Sequence, residues 1–347
     1  MHVAAAITGG FAALATLTAG CGDNRPGAAP APDVAPDLTP RELADDLRPY
    51  ALAADCAALP TWAFDRRLAR VAAASAREAW VVTENQLYHL GPDGSIELEP
   101  LDNVSDTWRC PGVTWAVGSA GLVARKPDGG AWQRLDLGLP AGFEGDVVDG
   151  GVGCDGDVWV GAGLAVHVHD GTSWRAIPTE PTYFDPDDPG AGKLEHDAAR
   201  VRGAGINRVA TANYGETLAY FPERDAFGVV AGTDDLVSDA VVFRDGTGAT
   251  LYHGHALGFD RDADHNDGDS PLDGVRASRR ADDDIWITQN SGGRRFDGET
   301  ITDEPTPGFF DQDVDARFDA IWLVGHNGAA VRTEAGWCHV AVAPNDP

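Results

Sequence analysis

Lysine is almost absent from this chain of 347 residues, which contains only Lys126 and Lys193. Lys and Arg together number 26 against 55 Asp and Glu, so the formal net charge is −29. Nucleic acids and anionic lipid headgroups are bound mainly through Lys and Arg. The composition therefore excludes nucleic-acid binding and direct adsorption to anionic membranes. It suits cations or basic partners, or simply the solubility of an exported protein.

Long apolar runs are also scarce. Residues 3–20 form an uncharged stretch that is too short and too rich in Gly and Ala for a comfortable membrane span. It ends in small residues before Cys21, which predicts a signal peptide at residues 1–20. Leu17-Thr18-Ala19-Gly20-Cys21 resembles the bacterial lipobox, and the resemblance implies cleavage before Cys21 and acylation of its thiol. The alternatives are a plain secretory signal or a buried apolar helix.

The segment after the anchor has almost no large apolar residues. Residues 21–38 are rich in Pro, Ala and Asp, so they cannot bury enough surface to fold and are predicted to form a disordered tether. Thr39-Pro40-Arg41-Glu42 then has the pattern of a capping box, and Leu43, Leu47 and Ala51 follow at helical spacing. We therefore expect one short helix within residues 39–58.

Many turns and few helices are expected beyond residue 59, because the chain contains 42 Gly and 22 Pro. A Trp-centred β-rich pattern recurs there at Trp80, Trp115, Trp159, Trp286 and Trp322. Each copy is preceded by one short strand and followed by two more. The turn before the last strand is Asp-Gly in four copies, at Asp93, Asp128, Asp170 and Asp297. Asp-Gly suits a tight hairpin with positive φ at both central positions.

Four strands repeated in tandem predict the blades of an all-β propeller occupying residues 59–347. The interval between Trp159 and Trp286 has room for two degenerate copies, which we place at Val209 and Leu251. The seven anchors are then 35 to 50 residues apart, so a seven-bladed β-propeller is favoured, with six or eight blades as alternatives. Thr61-Trp62-Ala63-Phe64 is a stray strand that would join the two ends of the ring and remove an exposed edge.

The pattern Trp-x-Val-Gly, then Gly, then Asp-Gly-x-x-Trp resembles the BNR-like and two-component-regulator-type propeller repeats of exported bacterial proteins. The resemblance covers about residues 60 to 342 and implies a fold rather than an activity. Asp128-Gly129-Gly130-Ala131-Trp132 is shorter than the Asp-box turn of sialidases and lacks its Ser.

Four cysteines remain once Cys21 is assigned to lipid, and an oxidising compartment favours two disulfides. Cys110 and Cys154 each lie five residues before the Trp of neighbouring blades. Cys56 and Cys338 lie near the two ends of the propeller, which ring closure brings together. We therefore predict the pairs Cys110–Cys154 and Cys56–Cys338.

A run of carboxylates predicts a calcium loop, with Asp262, Asp264, Asn266 and Asp273 at ligand positions 1, 3, 5 and 12. The glycine of this run is one place late and Asp replaces the usual Glu, so a solvated acidic loop is the alternative. His167 with His169, and His253 with His255, share strand faces at a spacing that a metal site can use. The long stretches 178–200 and 258–276 are candidate rim loops.

No nucleophile elbow, phosphate loop or free cysteine is present in a convincing context. The sequence thus favours a membrane-tethered extracytoplasmic binding or scaffold propeller of the cell envelope over an enzyme. Its expected partner is an envelope protein or a glycan, and it would meet the membrane only through its lipid. The alternative is an extracytoplasmic glycan-directed hydrolase or lyase with carboxylates lining the central pocket.

Overall fold

A computed structural model describes residues 50–64, 66–139, 151–153, 158–183, 193–194, 198–204, 207–212, 215–232, 237–243, 245–252, 255–260, 265–270, 272, 274–281, 283–289, 292–306, 312–317 and 320–342. All of them belong to one compact unit, Leu38–Pro347. The other unit, Met1–Asp37, lies outside the described residues, and with it the predicted signal peptide, Cys21 and most of the tether.

Seven four-stranded antiparallel sheets follow one another along the chain, each with its strands in sequence order. The first three are β1 Arg70–Ser75, β2 Glu78–Thr83, β3 Gln86–Leu90 and β4 Ile96–Asp102; β5 Val104–Cys110, β6 Val113–Gly118, β7 Leu122–Pro127 and β8 Gln133–Leu135; and β9 Gly151–Val152, β10 Val158–Ala162, β11 Ala165–His169 and β12 Trp174–Pro178. A two-stranded hairpin, β13 Thr182–Tyr183 and β14 Lys193–Leu194, follows the third sheet.

The remaining four sheets complete the series. They are β15 Ala198–Ala204, β16 Asn207–Ala212, β17 Glu216–Phe221 and β18 Ala226–Gly232; β19 Asp239–Val242, β20 Thr247–Tyr252, β21 His255–Asp260 and β22 His265–Asp269; β23 Arg276–Ala281, β24 Asp284–Gln289, β25 Gly292–Phe296 and β26 Ile301–Glu304; and β27 Asp313–Asp315, β28 Trp322–Gly325, β29 Gly328–Thr333 and β30 Gly336–Val342.

These sheets are the blades of a closed ring. The first strand of each blade contacts the first strands of both neighbouring blades, and β27 of the seventh blade returns to contact β1 of the first. The prediction of a seven-bladed β-propeller is confirmed. Val209 lies on β16 and Leu251 on β20, so both degenerate copies are second strands, as their placement required.

The hydrophobic core lies between neighbouring blades. Trp108 and Trp115 of the second blade pack with Val158 of the third, and Trp159 of the third packs with Tyr220 of the fourth. Each blade therefore buries one face against the next, and where the second strand carries a Trp, that Trp is among the largest apolar side chains of the contact.

The glycine that ends the Trp-centred pattern in the second and third blades has a steric reason. A Cβ on Gly161 would lie 2.0 Å from the carbonyl oxygen of Ala199, on the inner strand of the next blade. A Cβ on Gly118 would lie 1.8 Å from the carbonyl oxygen of Asn103. These backbones approach so closely that no side chain fits between them.

The Asp-Gly turns differ from the expected geometry, because only the glycine takes a positive φ. Gly171 has φ +94°, whereas Asp170 is not among the residues with positive φ. The Asp170 carboxylate instead accepts hydrogen bonds of 2.8 Å from the backbone N–H groups of Thr172 and Ser173. The expectation of a turn with two left-handed residues was wrong, and the Asp is favoured because its side chain closes the turn.

In the described part of the predicted helix, residues 50–58, no α-helix is present. Residues 39–49 lie outside the described residues, residues 50–55 are irregular, and only Cys56–Ala58 forms a 3₁₀ turn. The stretch 258–276 is also not simply a rim loop, because it contains part of β21 and all of β22. The stretch 178–200 contains the β13–β14 hairpin.

Residues 50–62, here called the N-terminal strap, cross the seventh blade and close the ring. The backbone N–H of Glu334, in the turn between β29 and β30, donates to the carbonyl of Ala53 at 3.0 Å. Trp62 forms a parallel bridge to Ala341 on β30, and its N–H donates to the carbonyl of Val340 at 2.8 Å. The stray strand thus lies outside β30 and covers its edge.

Candidate functional site

Eight charged residues lie on or just beyond the innermost strands, which surround the propeller axis. We call them the axial charge network: Arg70, Asp106, Arg200, Arg202, Asp239, Asp313, Asp315 and Arg317. All four carboxylates are buried. The inner strands place them together because the first strand of every blade runs beside the axis, so residues distant in sequence meet there.

Arg200 is the centre of this network. Its guanidinium lies 3.9 Å from the carboxylate of Asp106 on the second blade and 3.9 Å from that of Asp239 on the fifth, while Arg200 itself is on the fourth. Only 2% of its side chain is exposed. A buried charge is tolerated only when it is paired. The network therefore joins blades that are not neighbours.

The carboxylates also brace neighbouring blades through backbone groups. Asp313 accepts a hydrogen bond of 3.0 Å from the N–H of Val71, and Asp315 accepts one of 2.8 Å from the N–H of Ala73. Both bonds link the seventh blade to the first. Asp315 is also bonded to Arg317 at 3.0 Å. These carboxylates thus take part in ring closure.

Two axial carboxyl groups have opposite pKa shifts. Burial raises the pKa of Asp313 to about 6, and the nearby Arg70 offsets only part of that effect, while Asp106 adds to it. Burial also acts to raise the pKa of Asp239, but the guanidinium groups of Arg202 and Arg200 outweigh it and hold this pKa below its usual value. Asp239 is therefore charged at neutral pH, whereas Asp313 titrates at a pH just below neutral.

A second buried carboxylate site joins the outer parts of the first two blades. Glu99 on β4 accepts hydrogen bonds from the indole N–H groups of Trp80 at 3.0 Å and Trp132 at 2.8 Å, and from the Lys126 ammonium at 2.6 Å. Burial acts to raise the pKa of Glu99, but these donors lower it below its usual value. The carboxylate is fully occupied by protein donors, so its role is to fix β4 against the second blade.

The strap begins at a half-buried tyrosine. The Tyr50 hydroxyl shares its one hydrogen between the Asp284 carboxylate at 2.8 Å and the Ala316 carbonyl at 3.1 Å, and the Arg280 guanidinium lies 4.1 Å from the ring centroid. Burial, followed by the charge of Asp284, raises the pKa of Tyr50. The tyrosine thus attaches the strap at the boundary between the sixth and seventh blades.

The disulfide Cys56–Cys338 is present, with a Cα–Cα distance of 5.4 Å, and that prediction is confirmed. It links the strap to β30 across 282 residues of sequence. Cys154 lies outside the described residues. Cys110 is disulfide-bonded, and its sulfur lies 3.1 Å from the carbonyl oxygen of Gly153, the residue before Cys154.

Most of the predicted calcium ligands lie outside the described residues, namely Asp262, Asp264 and Asp273. Asn266 lies on β22, where its backbone is paired with Phe259. His167 and His169 share a strand and are both buried, and burial lowers the pKa of both imidazoles. Within the described part of the chain, no group of three His, Cys, Asp or Glu side chains is placed to hold a metal ion.

Sequence reasoning missed the axial charge network and the attachment of Tyr50. Apart from β5, which carries Trp108, the inner strands given above lack the Trp that marks second strands, and nothing in the spacing of Arg and Asp shows which of them face the axis. One usable signal was present: arginine and aspartate recur on β15, β19 and β27, strands otherwise filled with small or apolar residues. Among the described residues, no helix is long and apolar enough to span a membrane.

Comparison with known proteins supports the fold and goes no further. No protein-family model and no curated protein matches this chain by sequence. Among solved structures, the WD40 β-propeller domain of Doa1 is similar with a TM-score of 0.57 and 13% identity, over 81% of this chain and 95% of that one.

Two larger bacterial proteins contain a similar propeller. PorZ, a surface component of the type-IX secretion system of Porphyromonas gingivalis, matches with a TM-score of 0.54 and 11% identity, over 82% of this chain and 39% of that one. The extracellular domain of BT4673, a putative one-component system of B. thetaiotaomicron, matches with a TM-score of 0.53 and 12% identity, over 79% of this chain and 40% of that one. This chain thus spans about two fifths of the length of either solved chain, and the likeness defines it as a β-propeller.

Proposed function

We propose that this chain is a membrane-tethered, extracytoplasmic propeller that binds or scaffolds a protein of the cell envelope. The observation that carries the proposal is the axial charge network. A propeller enzyme with carboxylates in the central pocket needs them accessible to substrate. Here Asp106, Asp239, Asp313 and Asp315 are buried and bonded to arginines or to backbone N–H groups. We therefore assign recognition of a partner protein to the outer surface of the propeller.

The location rests on the cysteines and the N-terminal segment. The Cys56–Cys338 disulfide suits an oxidising compartment outside the cytoplasm. The lipobox-like sequence before Cys21 supports acylation of that residue, which provides the attachment to the membrane. Residues 21–38 then act as the tether.

The anchor is tested by expressing the full chain in a bacterial host with an alkyne fatty acid and comparing the wild type with Cys21→Ser. We expect label and membrane association in the wild type, and loss of both in the variant. Cys56→Ser is the matched control, because it replaces a cysteine that is disulfide-bonded, and it should retain the label. Equal labelling of the wild type and Cys21→Ser would overturn the assignment of the anchor.

The binding role is tested by crosslinking the tagged, lipidated protein in its native envelope and identifying captured proteins by mass spectrometry. A recurring protein partner that is also captured by the Asp313→Asn variant supports a binding surface outside the axis. Turnover of an envelope glycan by the purified chain, abolished by Asp313→Asn, would instead establish the hydrolase or lyase alternative.

A further inference from the structure

Strand β4, the outer strand of the first blade, exposes an apolar edge. The large hydrophobic side chains that are exposed among the described residues are Ile96 at 37%, Leu98 at 52% and Leu164 at 45%. Two of the three are therefore on this strand, two residues apart, and so on the same face of it. Exposed apolar residues that cluster in this way mark interaction surfaces more often than isolated ones do.

No described segment covers the outer edge of β4. The strand is the last of its sheet and is paired with β3 alone. Two other outer strands of the propeller do have added segments: Trp62 pairs with Ala341 on β30, and Thr179 pairs with Phe227 on β18, both in parallel. Outer edges in this fold therefore accept an extended chain, and β4 has such an edge without one among the described residues.

The edge of β4 is held rigid from its inner side. Glu99 points between the first and second blades, where Trp80, Trp132 and Lys126 donate to its carboxylate. A strand that is already fixed in its extended form loses little conformational entropy when another strand is added. Pro100 has no N–H to offer, so the available edge is confined to residues 96–99.

Charge decides which kind of segment this edge would take. Glu97 lies between the two exposed apolar residues and is itself exposed. A second copy of this chain, pairing through β4, would bring acidic strands together on two molecules that each carry a net charge of −29. Like charges opposite each other destabilise a strand pair, whereas a basic residue facing Glu97 stabilises it.

We propose that β4 is a docking site for an extended segment of a partner protein that alternates apolar and basic residues. The segment adds a fifth strand to the first blade, its apolar side chains cover Ile96 and Leu98, and its basic side chains face Glu97. This inference rests on the proposed binding function and assigns that function to one surface of the propeller.

The test uses a short capped peptide of alternating lysine and valine as the probe, titrated into the purified chain by fluorescence anisotropy. We expect saturable binding at sub-millimolar concentration that weakens as salt is raised. Leu98→Lys should weaken it by about tenfold or more, because the change removes apolar contact and adds a like charge. Leu164→Lys is the matched control, since it makes the same change at an exposed apolar residue outside β4, and it should leave binding unchanged.

Two further readouts locate the peptide. The same peptide with alternate backbone amides N-methylated should not bind, because it cannot pair with a strand edge. Hydrogen exchange of the wild type should show peptide-dependent protection at residues 96–99. Absence of binding, retention of affinity in Leu98→Lys with a wild-type melting temperature, or equal loss in Leu164→Lys would overturn the docking site. An envelope partner captured equally by wild type and Leu98→Lys would also overturn it, while leaving the proposed binding function intact.

Discussion

Arg200 on the fourth blade lies 3.9 Å from Asp106 on the second blade, so this ion pair connects two blades that the third blade separates in the ring. The apolar contacts between blades, in contrast, are made by neighbours. Arg200 adds a link through the centre of the ring, where the blades converge. Arg200 is buried and pairs with both Asp106 and Asp239, so its loss removes a positive charge from beside two buried carboxylates.

Replacement of Arg200 by Met is therefore expected to cost about 3–5 kcal/mol of unfolding free energy. The measurement is urea unfolding followed by tryptophan fluorescence. Arg224→Met is the control, because Arg224 is paired with Glu180 at 2.7 Å on the surface and its side chain is 45% exposed. That change should cost less than about 1 kcal/mol. Similar losses for the two variants would contradict a special role for the axial pair.

The pH dependence of stability should differ in sign between Asp313 and Asp239. The pKa of Asp313 is raised to about 6 in the folded protein, so this residue contributes stability at pH values below its unfolded pKa and loses that contribution as the pH rises through 6. Asp313→Asn should therefore raise the melting temperature at pH 8, and the difference should vanish near pH 4. Asn retains an acceptor for the N–H of Val71.

Asp239 is expected to behave in the opposite way. Its pKa is lowered in the folded protein, so its contribution is present above the unfolded pKa and is lost as the pH falls through the folded one. Asp239→Asn should destabilise the protein at pH 8 and have a smaller effect in acid. Melting curves of both variants between pH 3 and 8 make the comparison, and parallel profiles would refute it.

The Trp-x-Val-Gly pattern is expected to be intolerant of a methyl group. A Cβ at position 161 would lie 2.0 Å from a backbone carbonyl oxygen, so Gly161→Ala forces two blades apart and should cost on the order of 1–3 kcal/mol or more. Gly232→Ala is the control, since its Cβ would meet only the Glu216 side chain at 3.7 Å. Thermal unfolding of the two variants side by side decides the point, and equal melting temperatures would count against the steric explanation.

Tyr50→Phe should loosen the strap without opening the propeller. The change removes the one hydroxyl hydrogen that Asp284 and Ala316 share, a loss of about 1 kcal/mol or somewhat more because one acceptor is charged. Amide hydrogen exchange in residues 50–55 should become faster, while exchange in the inner strands stays the same. Tyr88→Phe, which loses a bond of 2.9 Å to Gln86, is the matched control. Unchanged exchange in the strap would show that the tyrosine does not hold it.

The sequence was sufficient for the parts of the fold that repeat. Trp, Gly and Asp-Gly recur in phase because each blade packs against its neighbours in the same way. The number of blades could therefore be predicted, and the two degenerate copies could be located. The Cys56–Cys338 pair followed from ring closure. The helix predicted within residues 39–58 is described only from residue 50 onward. There the backbone of Ala53 is bonded to Glu334 and the hydroxyl of Tyr50 to Asp284, and these tertiary contacts take the place of helical bonds.

The axial charge network and the exposed edge of β4 were beyond sequence reasoning for a different reason. Whether Arg200 or Asp106 faces the axis depends on the twist of each blade, and whether Leu98 is covered depends on chain segments remote in sequence. Neither the orientation of a side chain toward the axis nor its coverage by a remote segment produces a periodic pattern in a single sequence. Both depend on how the blades are arranged around the axis.

The N-terminal strap also determines how the molecule bears load. A pull on the chain ahead of residue 50 is first resisted by the hydrogen bonds of Tyr50 to the sixth and seventh blades. If these yield, the covalent link from Cys56 to Cys338 takes up the tension and passes it along β30, the outermost strand of the last blade. The inner strands and their buried charges lie off this line of force, which follows the strap and the outer strand of the last blade.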